Sequence, residues 1–477
     1  MRLSQEAYDE AVTSYVENFG MDATTAQIEA REEFALQGFD ISSIATSLSQ
    51  VNCNTFTAVV QTFLTSICPL AEIEDETWGN SEEDKLTSAI VSFESYLSDQ
   101  SVFRPNIVDF ACTAGQREII EILLKFCCKT TLAQTLRDRA LNCLTAMMII
   151  HENRRLVLKS AAFLTLLECR TLSTSLCSFL ASVTKEHGDA KIILMKTERT
   201  LTILTEAFGA SDVVLMRAIC ELFSAILIDD DRESSTSNKY RHALILHEHG
   251  LLAKVNDAIL QQVQSSQLET SVVLFKLFSH LLTSEKICRS VPEDVLSSLL
   301  AIISRRRDAV LLNHCCRCVR RLILSDSRKE ILLKFDVIKT FVSLMTCEVS
   351  SVRENSISIL AALALRNVEV SNELRANGGV DQLLELMPQE TCGKVLRQCC
   401  ILIRNIAVRN QDTRDYLVAN NVTAQLHDLK ALHPRSCIDV GSAALRDLGC
   451  DDYGRGWVPR TLVMGTDGSI INSSDLN

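Results

Sequence analysis

Apolar anchors recur through the second half of the chain at a nearly constant interval, and that interval limits the choice of fold more than any other feature. The last large apolar residue before each helix stops is Leu281 in LFSHLLTS, Leu322 in CVRRLILSD, Leu363 in ILAALALRN, Ile406 in LIRNIAVRN and Leu448 in ALRDLGC. Successive separations are 41, 41, 43 and 42 residues. Self-similarity at this period marks a stack of two- or three-helix units and excludes repeats of about 33 residues. A single unit cannot bury its own apolar face, so the stack folds as a cooperative array.

The interior of one period selects between two and three helices. Asn372–Ala376 reads as a short first helix, broken by Asn377–Gly379. Val380–Met387 is a second helix, ended by Pro388, and Lys394–Val408 is a long third. The Gly-Gly pair permits the corner between the first two because glycine adopts positive φ without a Cβ clash. Asn420–Asn421 occupies the same place one period later and His249–Gly250 an earlier one; Asn is the next most tolerant residue there. A short helix, a Gly or Asn corner and two longer helices is armadillo geometry. The expected fold is therefore all-α, a right-handed armadillo-type α-solenoid of about eight three-helix units spanning 101–450, the first three poorly formed, with an N-terminal helical extension.

Composition agrees. The chain has 477 residues, 47% of them apolar and 5% aromatic, with 6 Pro and 16 Gly. A β or α/β fold of this length needs more turn-formers. The net charge of −12 argues against a general nucleic-acid binder. The 19 cysteines lie inside apolar stretches, as in LLKFCCKT and LRQCCILIRN. Such cysteines are buried hydrophobes rather than a disulfide framework. The polar segment Met1–Glu10 has no apolar core of a signal peptide, and the apolar run Ile359–Leu365 is too short to span a bilayer. The expected compartment is cytoplasmic, with a nuclear pool not excluded, and the expected state is monomeric.

Outside the array, residues 1–50 read as two amphipathic helices, with Tyr8, Val12, Tyr15, Val16 and Phe19 on one face and Asp22 or Thr24 as the cap of the second. Residues 51–100 carry an acidic cluster (Glu72, Glu74, Asp75, Glu76, Glu82, Glu83, Asp84) around Trp78 and read as a solvated acidic linker with weak helix. Residues 451–477 are rich in Gly and Ser and are expected to be disordered, with Trp457 able to pack back on the last unit.

Three stretches carry a resemblance. QCCILIRNIAVRNQDTRDYLVANNVTAQLHDLKALHPRSCIDVGSAALRDLGC (398–450) resembles the C-terminal end of the armadillo repeat-containing protein 6 family. SQEAYDEAVTSYVENFGM (4–21) with EEFALQGFDISSI (32–44) resembles its opening segment, and LIDDDR (227–232) its mid-array acidic run. The resemblance implies a non-enzymatic armadillo scaffold.

Candidate binding residues follow from position. The last turn of each third helix lines the groove of such an array and here carries Arg320 and Arg321, Arg404 and Asn405, and Arg446 and Asp447. Arg320, Arg404 and Arg446 each precede their anchor by two residues, and Arg317 and Arg397 extend the row. Arginine binds carboxylates and carbonyl oxygens bidentately, so the groove is expected to hold an acidic segment of a protein partner. The bland alternative pairs these arginines with neighbouring acids such as Asp447 or lays their stems over apolar surface. A nuclear-import groove is disfavoured, because the Trp residues (Trp78, Trp457) lie outside the array and only Asn405 stands at a matching Asn position. The loop after Leu227 interrupts the period and brings Asp229, Asp230, Asp231 and Arg232 together with His242, His247 and His249. It reads as a solvated loop, with partner binding and metal ligation as lesser readings.

Cys315 and Cys318, with His314, form a C-x-x-C without the second pair that zinc requires, and Arg305–Arg307 read as a solvated corner. Phosphate-loop, dinucleotide, zincin and serine-hydrolase motifs are missing. The expected function is a protein-interaction scaffold or adaptor without catalytic residues, cofactor, metal, nucleic-acid or membrane partner. The alternative is a carrier or chaperone-type transport adaptor for a protein client.

Overall fold

The computed structural model describes residues 5–19, 21–36, 39, 50–73, 75–97, 107–116, 118–168, 172–209, 212–229, 237–262, 267–455, 462–464 and 470–472, in two compact units, Met1–Lys254 and Val255–Asn477.

In the first unit, α1 (Gln5–Phe19) and α2 (Ala23–Leu36) pack on each other. Tyr8 and Ala30 are buried between them, flanked by Val12, Tyr15, Phe34 and Phe39. The Asp22 carboxylate caps α2, accepting from the backbone N–H of Thr25 at 3.0 Å. The stop at Gly20 and the glycine at Gly38 lie outside the described residues.

The next segment corrects the expectation of a linker. α3 (Gln50–Ala71) and α4 (Asn80–Leu97) are full helices. Val60, Phe63, Ile67 and Leu70 recur at three- and four-residue spacing on α3, as do Leu86, Ile90, Phe93 and Leu97 on α4, and all are buried. Phe63 and Phe93 stack at 4.1 Å between centroids. The acids concentrate at the connection between the helices, which obscured the apolar period on either side. Even there the chain is anchored. Asp75 accepts from the backbone N–H of Thr130 at 3.0 Å and from its hydroxyl at 2.8 Å, and Trp78 packs on Phe126 with the Lys129 ammonium 5.1 Å from its ring centre.

Complete triplets follow: α5 (Ile107–Gln116), α6 (Ile119–Cys128) and α7 (Gln134–Met147); α8 (His151–Lys159), α9 (Ala161–Leu167) and α10 (Thr174–Thr184); α11 (Gly188–Lys196), α12 (Glu198–Ala207) and α13 (Val213–Leu227). α14 (Lys239–Glu248) opens the next. Second helices α3, α6 and α9 stack in one row and third helices α4, α7, α10 and α13 in another. α3 and α4 thus serve as second and third helices of an opening triplet, no first helix of which lies among the described residues, and the first three triplets seen whole, expected to be poorly formed, are regular.

α15 (Leu251–Gln262) spans the division between units. The second unit continues with α16 (Leu268–Leu281), then α17 (Glu285–Arg289), α18 (Glu293–Arg305) and α19 (Ala309–Leu322), then α20 (Asp326–Leu332), α21 (Val337–Leu344) and α22 (Ser350–Ala364). Two triplets close it: α23 (Val368–Ala376), α24 (Gly379–Leu386) and α25 (Gly393–Ala407), and α26 (Gln411–Ala419), α27 (Val422–Leu432) and α28 (Pro434–Asp447). Third helices α16, α19, α22, α25 and α28 form a continuous row. The five anchors are buried, Leu281, Leu322, Leu363 and Ile406 completely. Eight triplets, α5–α7 through α26–α28, lie among the described residues.

Corners form as the sequence requires, with Gly378 at φ 73° and Asn421 at φ 64° between first and second helices. A second device escaped sequence reasoning. In three triplets a basic residue of the first helix reaches the open carbonyls at the C-terminus of its own third helix. Arg154 Nη1 donates to Lys185 O at 2.5 Å, Lys191 Nζ to Ile228 O at 2.9 Å and Lys329 Nζ to Ala362 O at 2.8 Å. Each cation satisfies a terminal carbonyl and complements the negative end of the helix dipole. The C-terminal tail is not wholly irregular either. Leu462–Met464 (β1) and Ile470–Asn472 (β2) pair antiparallel, with Val463 opposite Ile471; Trp457 lies outside the described residues.

Candidate third-helix face

In the second unit one stripe of each third helix is partly open to solvent, except where Ser279 and Ala361 fall on it, both buried. Counted back from the anchor, the position five residues earlier holds Lys276, Arg317, Ser358, Ile401 and Ala443, all half-buried. The position nine earlier holds Val272, Asn313, Glu354, Arg397 and Asp439, and the position two earlier Ser279, Arg320, Ala361, Arg404 and Arg446. Spacings of three and four put these positions on one helical face.

The arginines expected to line this face are there, and most are engaged. Arg320 lies 3.3 Å from Asn355 Oδ1, to which it donates, and 3.7 Å from Glu354 on α22. Arg397 grips Asp439 on α28 bidentately at 2.8 and 3.1 Å, which holds that carboxyl below the usual range. Arg404 Nε donates to Asp447 Oδ2 at 2.8 Å, and Arg446 donates to Oδ1 of the same carboxylate at 3.0 and 3.1 Å. Asn405 Nδ2 donates to Ala361 O at 2.8 Å. Arg321 turns toward Leu282 O, 3.4 Å away. Arg317 makes no hydrogen bond or ion pair among the described residues. The face is thus a ladder in which cations of one third helix meet acids of the next. Arg404 and Arg446 remain about half exposed while Asp447 is 13% exposed, so the guanidinium edges, not the carboxylate, face solvent.

Charge is segregated across the unit. Third helices α16, α19, α22, α25 and α28 carry ten Lys and Arg against four Asp and Glu. The first and second helices α17, α18, α20, α21, α23, α24, α26 and α27 carry nine against twelve. A basic face on a chain of net charge −12 is a local arrangement that whole-chain composition hides.

One further pair ties the ladder down. Arg353 at the start of α22 and Glu390 before α25 meet at 2.7 Å, with Glu390 only 2% exposed. The second Glu390 oxygen accepts from the backbone N–H groups of Thr391 and Cys392 at 3.0 and 2.9 Å. Lys276, Ile401 and Glu390 went unrecognised in the sequence, and His314 drew notice only beside the C-x-x-C. The five-residue offset from the anchor would have found Lys276 and Ile401; nothing local marks Glu390.

The other candidates separate from this face. Asp229 is exposed after α13, while Asp230, Asp231 and Arg232 lie outside the described residues. His242 is not a loop residue. It is 4% exposed on α14, where burial holds its imidazole below the usual range. Cys315 and Cys318 are buried in α19, their thiols pushed up by desolvation. No cluster of metal-ligating side chains occurs among the described residues, nor a helix long and apolar enough to cross a membrane. In the first unit, a groove of about 800 Å³ runs between α3 and α4, walled by Ala58, Val59, Phe63, Ala89, Phe93 and Tyr96, with Asp84 and Lys85 its charged residues.

Helical triplets, several turning at positive-φ corners, stacked third helix on third helix define an armadillo-type α-solenoid. The fold is similar to the crystal structure of an engineered protein, with a TM-score of 0.66 at 14% identity over 94% of this chain and 99% of that one. A designed armadillo repeat protein aligns at 16% identity over 52% of this chain and all of its own length, with a TM-score of 0.45. Residues 1–62 match the family model of the armadillo repeat-containing protein 6 N-terminal domain. The match covers the opening segment only, and the triplet fold of the rest is that of an armadillo repeat protein. No curated protein matches the chain.

Proposed function

We propose that this chain is a non-enzymatic scaffold whose third-helix face in the unit Val255–Asn477 binds an acidic segment of a partner protein. The observation that carries the reading is the charge segregation, ten basic residues against four acidic on the third helices and an acidic excess on the others. The internal ion pairs do not cancel it. They hold each guanidinium in a fixed orientation, which lowers the ordering entropy lost when an acidic chain arrives. Asp447 positions Arg404 and Arg446 and is itself the residue an acidic ligand would compete with. Asn405, Gln398 and Ser358 offer neutral polar groups along the same stripe. The buried cysteines suit a reducing compartment such as the cytosol.

The test is a peptide array probed with the full chain at low and physiological salt. Acidic peptides should be enriched, their binding should weaken with salt, and Arg404→Glu with Arg446→Glu should abolish the enrichment. Equal binding of acidic and basic peptides, or enrichment untouched by both reversals, contradicts the proposal.

A further inference from the structure

Among the cations of the third-helix face, two stand apart. Lys276 on α16 and Arg317 on α19 occupy the same position relative to their anchors in consecutive triplets, on helices that pack together. Neither has an ion-pair partner among the described residues, whereas Arg320, Arg397, Arg404 and Arg446 each have one. Among the described residues of α16, α19 and α22 no acid pairs with them. α19 contains no acidic residue, Glu269 of α16 lies two turns before Lys276, and Glu354 of α22 is engaged with Arg320.

His314 stands one turn before Arg317 on the same helix, where burial first, and then the charges of Arg317 and Lys276, disfavour its protonation. Its Nδ1 is buried without a hydrogen-bond partner among the described residues. Two uncompensated cations around an imidazole with an unmet nitrogen are an unfavourable arrangement for an empty surface. An oxyanion beside them would pair with both charges and make the imidazolium form acceptable.

We propose that Lys276, His314 and Arg317 form a subsite for a carboxylate side chain of the bound segment, the strongest single anchor along the face. The inference rests on the acidic-segment reading above and deepens it. Only α22, where Ser358 holds the equivalent position, separates this subsite from the arginines of α25, and the partly exposed guanidinium groups of Arg320 and Arg397 are the next cations a segment anchored here would meet.

The probe is a fluorescein-labelled poly-glutamate peptide, with a phosphoserine peptide of equal length as the second arm, titrated by anisotropy into the full chain. Lys276→Gln combined with Arg317→Gln should weaken poly-glutamate binding by about tenfold or more and reduce its salt dependence. Arg305→Gln combined with Arg307→Gln, the same charge change at the exposed end of α18, should leave it within twofold by the same scale. Thermal melts of each variant establish that it is folded. As a readout that a merely structural role would not move, the His314 ring signals in NMR should titrate at higher pH with peptide bound. Full-strength binding by the double variant, with loss only in Arg404→Gln with Arg446→Gln, overturns the subsite and leaves the face intact as the binding surface. Absence of binding by the unaltered chain overturns both. Tighter binding of the phosphoserine peptide, lost in the same double variant, overturns the carboxylate assignment in favour of phosphate.

Discussion

Single residues in the second unit are held by distinguishable forces, and substitutions separate them. Gly378 and Gly379 are neighbours with different duties. Gly378 sits at φ 73° with open space where a Cβ would be, so Gly378→Ala should cost only the conformational penalty, about 1 kcal/mol. At Gly379 an added Cβ would stand 2.5 Å from Leu374 and 2.8 Å from Val342, so Gly379→Ala should cost about 1–3 kcal/mol through overpacking. Urea melts of both variants check the order; equal losses would contradict it. Glu390→Ala removes one partner of a buried pair and two backbone acceptor contacts, and should destabilise by about 3 kcal/mol. Burial first, then Arg317 and Lys276, push His314 down to about 4. Between that value and the ordinary imidazole pKa of about 6.5, the unfolded chain binds a proton that the folded chain refuses. Its contribution to stability is therefore full above the ordinary value and is lost as pH falls toward the depressed one. His314→Gln should lose less stability than the unaltered chain between about pH 7 and pH 4.5, measured as the change in urea midpoint. At this scale the sequence was informative about positions and poor about partners. Arg404 was correctly placed in the last turn of a third helix, but that Asp447 binds it depends on a neighbouring helix one repeat away, which no local pattern encodes. The pairing was nonetheless the weighed alternative.

Elements were the most legible level wherever the apolar period ran undisturbed. The corner at Asn377–Gly379, the second helix ending near Met387 and the long third helix from Lys394 all appear within a few residues of their expected bounds. The period failed as a guide at α3 and α4, because acids crowd the turn between two helices whose buried faces are themselves regular. It also understated the first three complete triplets, whose third helices end less uniformly. Packing predicts how these elements respond to removal. The α1–α2 pair has its own small core around Tyr8 and Ala30, so deleting residues 1–49 should leave the remainder folded with a near-unchanged melting temperature. Phe63→Ala or Phe93→Ala empties a stacked, buried aromatic pair and should cost about 3–5 kcal/mol. Circular dichroism melts compare the two cases. A truncation as damaging as Phe93→Ala would make α1–α2 a cap of the array instead of a self-contained pair. The first-helix staples offer a similar contrast. Lys191→Met keeps the stem, removes the donor to Ile228 O, and should destabilise by about 1–3 kcal/mol, since the ammonium is a charged donor at a helix end.

Across the whole molecule, the acidic balance of the chain concealed its main electrostatic feature. Net charge argued against a broad nucleic-acid grip, yet it gave no sign that the third helices of one unit would collect the basic residues while their first and second helices collected the acids. That segregation depends on which face each residue occupies, which the helical period reveals only once the helices are placed in triplets. Its consequence is a surface whose affinity for acidic chains should fall steeply with salt while its stability does not. The central claim is that this basic third-helix face, and no other surface, receives an acidic segment. Photo-crosslinking a benzophenone-bearing poly-glutamate peptide to the full chain, with the attachment sites read by mass spectrometry, tests it most directly. The account predicts attachment on α16, α19, α22, α25 and α28. Attachment confined to the first and second helices, or to the unit Met1–Lys254, would contradict it.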